Sequence, residues 1–94
     1  MLPNEYRPGT THTLSATTSS GATRTSAFGA QTQTVMVTST AGVFVAFGAT
    51  PTAATSSTFI AADYPLTFRV EGGDTAAAIT GTSTATVYVT ELSR

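Results

Sequence analysis

Leu66-Thr67-Phe68-Arg69-Val70-Glu71, followed directly by Gly72-Gly73, is the stretch that decides the fold. Leu66, Phe68 and Val70 alternate with Thr67, Arg69 and Glu71, so a backbone of period 2 puts three apolar side chains on one face and three polar ones on the other. The glycine pair then marks a turn. The same alternation recurs on either side. Val35-Met36-Val37-Thr38 and Val43-Phe44-Val45-Ala46-Phe47 are joined by Ser39-Thr40-Ala41-Gly42, and Ala76 to Thr80 and Ala85 to Thr90 are joined by Gly81-Thr82-Ser83-Thr84. Both connections have hairpin length and contain glycine. Weaker runs lie at His12 to Thr17, Arg24 to Phe28 and Thr58 to Ala61. No stretch carries a helical 3.6 period, although Thr75-Ala76-Ala77-Ala78 has room for a single turn, and Ala49 to Ser57 has no apolar phase and reads as a loop. About eight short strands with turn signals between them predict an all-β fold, an antiparallel β-sandwich or small jelly roll.

Laid over one another, the two joined pairs match in phase. Val35 and Val37 fall on Ala77 and Ile79, Thr38-x-Thr40 on Thr80-x-Thr82, and Val43, Val45 and Phe47 on Ala85, Val87 and Val89. Any two Thr-rich hairpins align in this way. The more specific expectation is that the pairs hold similar places in two packed sheets, with these rows forming the shared core.

Half of the 94 residues are Thr, Ser or Ala (22, 9 and 15), while Leu, Ile, Val and Phe together number 18. So few large apolar residues suggest disorder only when net charge is high, and here charged residues are 10% and the net charge is −1. Threonine suits a half-buried strand because its branched Cβ fits the pleat while its hydroxyl faces water. With no Lys and four Arg, the chain has no basic stripe for a phosphate backbone or an anionic membrane surface, so neither nucleic acid nor membrane is an expected partner. The absence of Cys excludes a disulfide framework, a thiol nucleophile and Cys-ligated zinc. Met1-Leu2-Pro3-Asn4-Glu5-Tyr6-Arg7-Pro8 has no apolar run after a basic start, and reads as a protein made without an export signal. Residues 1–10 lack periodicity and hold two of the four prolines, and they are expected to form an extended N-terminal arm before a single β-domain at 11–94.

Little in the chain suggests catalysis. His12 is the single imidazole, and pairing it with Asp63 or Asp74 behind a serine has no Gly-x-Ser-x-Gly elbow to support it. Glu71-Gly72-Gly73-Asp74 offers two carboxylates on a turn, fewer oxygens than calcium takes. No catalytic residue, cofactor or metal is expected, and the chain is not read as an enzyme. What remains is surface. Phe44 and Ala46 point opposite to Val43, Val45 and Phe47, and Tyr88 opposite to Val87 and Val89, whereas the outer face of a lone sandwich is polar. The arm, another subunit or a larger partner would cover such a face; single exposed aromatics, for their part, occur on any surface. Leu2 and Tyr6 on the arm, with Phe44 and Tyr88, are the candidate interface residues. A core built largely of Ala and Val gains less from burial than one of Leu and Phe, which points to a homo-oligomer or a docked subunit.

Three stretches carry a resemblance: Leu2-Pro3-Asn4-Glu5-Tyr6-Arg7-Pro8, Val43-Phe44-Val45-Ala46-Phe47-Gly48, and Ala78-Ile79-Thr80-Gly81-Thr82-Ser83-Thr84-Ala85-Thr86-Val87-Tyr88-Val89-Thr90-Glu91-Leu92. They resemble small Thr/Ala/Gly-rich virion proteins of tailed bacteriophages. The resemblance implies a capsid decoration (cement) protein assembled in the host cytoplasm, with the major capsid protein or other virion proteins as partners. A head-tail connector or a tail or fibre component is the alternative within that class. A glycan-binding β-sandwich module, with Tyr88, Tyr64 or Phe44 as the stacking platform, is the alternative from another class. An ice-binding Thr-x-Thr array, prompted by Thr32-Gln33-Thr34 and Thr84-Ala85-Thr86, lacks regular spacing.

Overall fold

Valine and threonine, both branched at Cβ, favour extended backbone, and their alternation lets one face of each strand be buried. In the computed structural model, which describes residues 7–93, this gives seven strands: β1 (Arg7–Ala16), β2 (Thr34–Ser39), β3 (Val43–Gly48), β4 (Thr58–Ile60), β5 (Leu66–Arg69), β6 (Thr75–Ile79) and β7 (Ala85–Ser93). They form a four-stranded sheet in the order β1-β7-β2-β5 and a three-stranded sheet in the order β4-β3-β6. Every pairing is antiparallel. The protein is an all-β sandwich, and there is no helix among the described residues. Residues 75–78 form part of β6 rather than a helical turn.

The core lies between the sheets. Leu14 and Ala16 of β1, Val35 and Val37 of β2, Val43 and Val45 of β3, Ile60 of β4, Ala76 and Ala78 of β6, and Ala85, Val87 and Val89 of β7 are buried there, with Phe28 and Val70 from the connections. Phe47 and Phe68, ring centroids 5.2 Å apart, close one side. Val70 is buried and Leu66 and Phe68 pack against the core, while Thr67, Arg69 and Glu71 are exposed, as the alternation of residues 66–71 predicts.

Neither connection of hairpin length makes a hairpin. β2 lies in the four-stranded sheet and β3 in the three-stranded one, and β6 and β7 are divided likewise. Both connections are corners that carry the chain from sheet to sheet, and the two arches stack against each other through the pairs β2–β7 and β3–β6. A buried hydroxyl closes each corner: Ser39 donates to the Ala41 carbonyl, and Thr80 to that of Ser83. The two pairs thus bridge the same two sheets, although β2 is an interior strand and β6 an edge strand, and the phase expected for β6 is off by one. Ala76 and Ala78 face the core, with Thr80 buried at the end of the row, rather than Ala77 and Ile79. The cause is a second corner one residue longer than the first, Thr80 to Ala85 against Ser39 to Val43.

Ala77 is buried for a different reason. The segment from Thr17 to Phe28, expected to hold a strand at Arg24 to Phe28, runs along the outer edge of β6 with a single bridge, Arg24 to Ala77. The amide of Thr25 donates to the Ala76 carbonyl at 2.9 Å, and that of Thr80 to the Thr17 carbonyl at 3.0 Å. Side chains complete the ladder. The Ala76 amide donates to Thr25 Oγ1 at 3.0 Å, and Ser20 Oγ donates to the Ala78 carbonyl at 2.7 Å. Hydroxyl-to-backbone bonds of this sort compete with regular pairing, which explains why the segment covers an edge without becoming an eighth strand.

At the other end of the chain order, β1 reaches back past the alternating region. Residues 7–10, assigned to the arm from sequence, lie in β1, with Arg7 opposite Ser93 and Pro8 opposite Leu92 before an irregularity between Pro8 and Thr11. Residues 1–6 lie outside the described residues.

Candidate protein-interaction surfaces

β3 is the central strand of the smaller sheet, so burying Val43 and Val45 turns Phe44 and Ala46 outward. Phe44 is paired with Phe59 on one side and Ile79 on the other, and Ala46 with Ala77. Paired residues share a face, so Phe59, Phe44 and Ile79 form one apolar row across the whole outer surface of this sheet. The Phe44 and Phe59 rings pack against each other at 5.2 Å, tilted by 56°. Phe59 is 54% exposed, and Phe44 and Ile79 are half-buried.

The outer face of the four-stranded sheet is of another character. Tyr88, 42% exposed, stands between Thr13 and Thr38. In the next row Thr11, Thr90, Met36 and Thr67 follow one another across four strands, with the Thr11 and Thr90 hydroxyls 3.0 Å apart. Phe44 and Tyr88 therefore lie on opposite faces of the sandwich and belong to different surfaces. Tyr64, 60% exposed, sits in the connection between β4 and β5. Leu2 and Tyr6 fall outside the described residues.

One polar cluster has no motif in the sequence. Glu91 follows Val87 and Val89 on the inward side of β7, and its carboxylate accepts hydrogen bonds from His12 Nε2 at 2.6 Å, Thr32 Oγ1 at 2.5 Å and the Gly29 amide at 3.1 Å. The His12 ring packs on Phe28 at 5.4 Å. Burial pushes the Glu91 carboxyl up, but the bonds from Thr32, His12 and Gly29, with the His12 charge, outweigh it and hold the group below the ordinary carboxylate value. The phase of Glu91, continuing an inward valine row, was the available signal. Its partners were not legible because His12 is 79 residues away. The cluster ties β1 and the 29–32 loop to β7. His12 bonds to Glu91 and not to Asp63 or Asp74.

The Glu71-Gly72-Gly73-Asp74 turn is closed by its own groups. Asp74 Oδ2 accepts from the Glu71 amide, and the Asp74 amide donates to the Glu71 carbonyl, both at 3.0 Å. Gly73 has φ +88°, and a Cβ on Gly72 would lie 2.1 Å from the Ala30 carbonyl oxygen, so both glycines are structurally required. Among the described residues no three His, Cys, Asp or Glu side chains gather as a metal site. Comparison with protein-family models, curated proteins and solved structures finds no match.

Proposed function

We propose that this chain is a structural virion protein that binds the outside of a phage capsid at subunit junctions and stabilises the shell, as a decoration or cement protein does. The observation that carries the reading is the apolar row Phe59, Phe44 and Ile79 on the outer face of a three-stranded sheet, where a sandwich standing alone presents polar groups. The virion setting rests on the resemblance of residues 2–8, 43–48 and 78–92 to small phage head proteins. Added interface stabilises an assembled shell by mass action, by about 2.7 kcal/mol per site at a free concentration a hundred times the Kd. A standard protein interface of ~1,600 Å² is large enough to support such binding.

The test is copurification with assembled particles. Decoration gives copies on the order of the capsid subunits themselves, and a connector gives a single ring. The double variant Phe44→Ser, Phe59→Ser, checked by circular dichroism to be folded, is expected to lose occupancy on particles and to abolish the rise in shell melting temperature. Occupancy and melting equal to those of the unmodified chain would remove the row, and with it the decoration reading.

A further inference from the structure

We propose that the outer edge of β1 is a self-pairing edge, on which a second copy of the chain adds its own β1 antiparallel across a twofold axis. The inference concerns this chain with itself and stands independently of the particle it serves. The four sheet edges are protected to different degrees. The edge of β6 is covered by residues 17–28 through backbone and hydroxyl bonds. β4 is three residues long, and β5 is four and follows directly on Pro65, so both are short. β1 runs for ten residues, and its main chain pairs with β7 alone among the described residues. Every second residue of such a strand turns its N–H and C=O away from the sheet, a template for another strand.

Natural edges are blunted by lysine, proline, bulges or brevity. On β1 these devices are confined to the start, where Pro8 and the irregularity before Thr11 lie. From Thr11 to Ala16 the register with β7 is unbroken, and no Asp, Glu, Lys or Arg interrupts it. The stretch is also complementary to itself. A twofold at Thr13 sets Thr13 against Thr13 and Thr11 against Ser15 on the hydroxyl-bearing face, and His12 against Leu14 on the other. Small hydroxyl pairs stabilise antiparallel strands, and no like charges of carboxylate or guanidinium meet. From Thr11 to Ala16 a twofold copy meets this edge with its own complementary row, so a second copy of the chain is the occupant.

The area fixes the strength. Six paired residues span ~20 Å, and with a molecule 19 Å across in its thinnest direction the contact covers ~400 Å² per copy. That lies at the weak end for protein interfaces, so the dimer forms at micromolar concentrations or above and is favoured wherever copies are held close together.

Sedimentation velocity on the isolated chain tests the proposal. A discrete dimer growing in with concentration from ~1 µM to ~1 mM is expected, because one edge per copy closes the assembly at two. Thr13 is exposed, so Thr13→Lys leaves the fold intact by circular dichroism and melting but sets two ammonium groups together at the twofold, and the dimer is lost. In a chain without cysteine, Thr13→Cys gives a disulfide-linked dimer on oxidation, while the exposed Thr67→Cys on β5 does not. A monomer at every concentration, a dimer indifferent to Thr13→Lys, or open-ended polymers would each overturn the proposal. No particle enters the experiment, so its failure leaves the capsid-binding reading standing.

Discussion

Glu91 is a residue on which distant parts of the chain converge. Its carboxylate holds His12 from β1 and both Gly29 and Thr32 from the following loop, and its side chain is only 14% exposed. Hydrogen bonds to a charged group of this kind contribute more than neutral ones. Replacing Glu91 with Gln keeps the shape but removes the charge, and is expected to lower stability at pH 7 by about 2 kcal/mol. The pH dependence follows from the direction of the shift. The folded carboxyl titrates below its ordinary value of 4.5, so the contribution is fully present above that pH and is lost as the pH falls through the lower, folded value. Urea midpoints at pH 7 and near pH 2.5 check this. The gap between the two proteins should narrow in acid, and a gap of equal size at both pH values would show that it does not arise from the carboxylate.

At the scale of elements, the segment from Thr17 to Phe28 shows how a sequence rich in hydroxyls finishes a sheet. Ser20 Oγ accepts from the Thr17 amide at 2.8 Å and donates to the Ala78 carbonyl, while Thr25 Oγ1 satisfies the Ala76 amide. Ser20→Ala and Thr25→Val each leave a main-chain group of this edge without its partner, and each is expected to cost about 1 to 2 kcal/mol. The exposed Thr18→Ala supplies the control, with a change within about 0.5 kcal/mol. Urea denaturation measures the costs, and amide exchange at Ala76 should accelerate in Thr25→Val; values no larger than the control would mean the hydroxyls do not hold the edge. The strands themselves were legible because alternation is a local signal: Leu66 to Val70 and Val43 to Phe47 have the faces their sequence predicts. What alternation does not encode is which sheet a strand joins. Ser39 to Gly42 and Gly81 to Thr84 have hairpin length and glycine, yet they turn corners, and the valine rows at Val35 and Val37 and at Val43 and Val45 enter one core from opposite sheets. One added corner residue then inverted the phase of β6. The outward positions of Phe44 and Tyr88 followed from local parity, whereas the alignment of Phe44 with Phe59 and Ile79 depended on pairings between separate elements.

For the whole molecule, the dominant fact is that its central pairings join residues far apart in sequence. Thr11 and Thr90 face each other across β1 and β7 at a separation of 79 residues, and β7 lies between β1 and β2, so the larger sheet is incomplete until the last strand arrives. Closing loops of that length costs chain entropy before any contact repays it. The small core compounds this, since Ala16, Ala76, Ala78 and Ala85 offer little apolar area to bias an early collapse toward the correct arrangement. The pairing of β3 with β4 spans the shortest stretch of chain, from Val45 with Thr58 to Val43 with Ile60, and so has the lowest entropy of closure, with β2–β5 and β3–β6 next. Folding is therefore expected on the millisecond-to-second scale typical of β-sandwiches rather than in microseconds. A substitution on the late-forming β1–β7 pair should act mainly on unfolding: Leu14→Ala is expected to destabilise by about 2 to 4 kcal/mol, with most of that change in the unfolding rate and little in the folding rate. Stopped-flow refolding and unfolding across a urea series measures both arms. If Leu14→Ala slows folding by the full amount, β1 and β7 meet in the transition state, and the order of assembly inferred from chain separation is wrong.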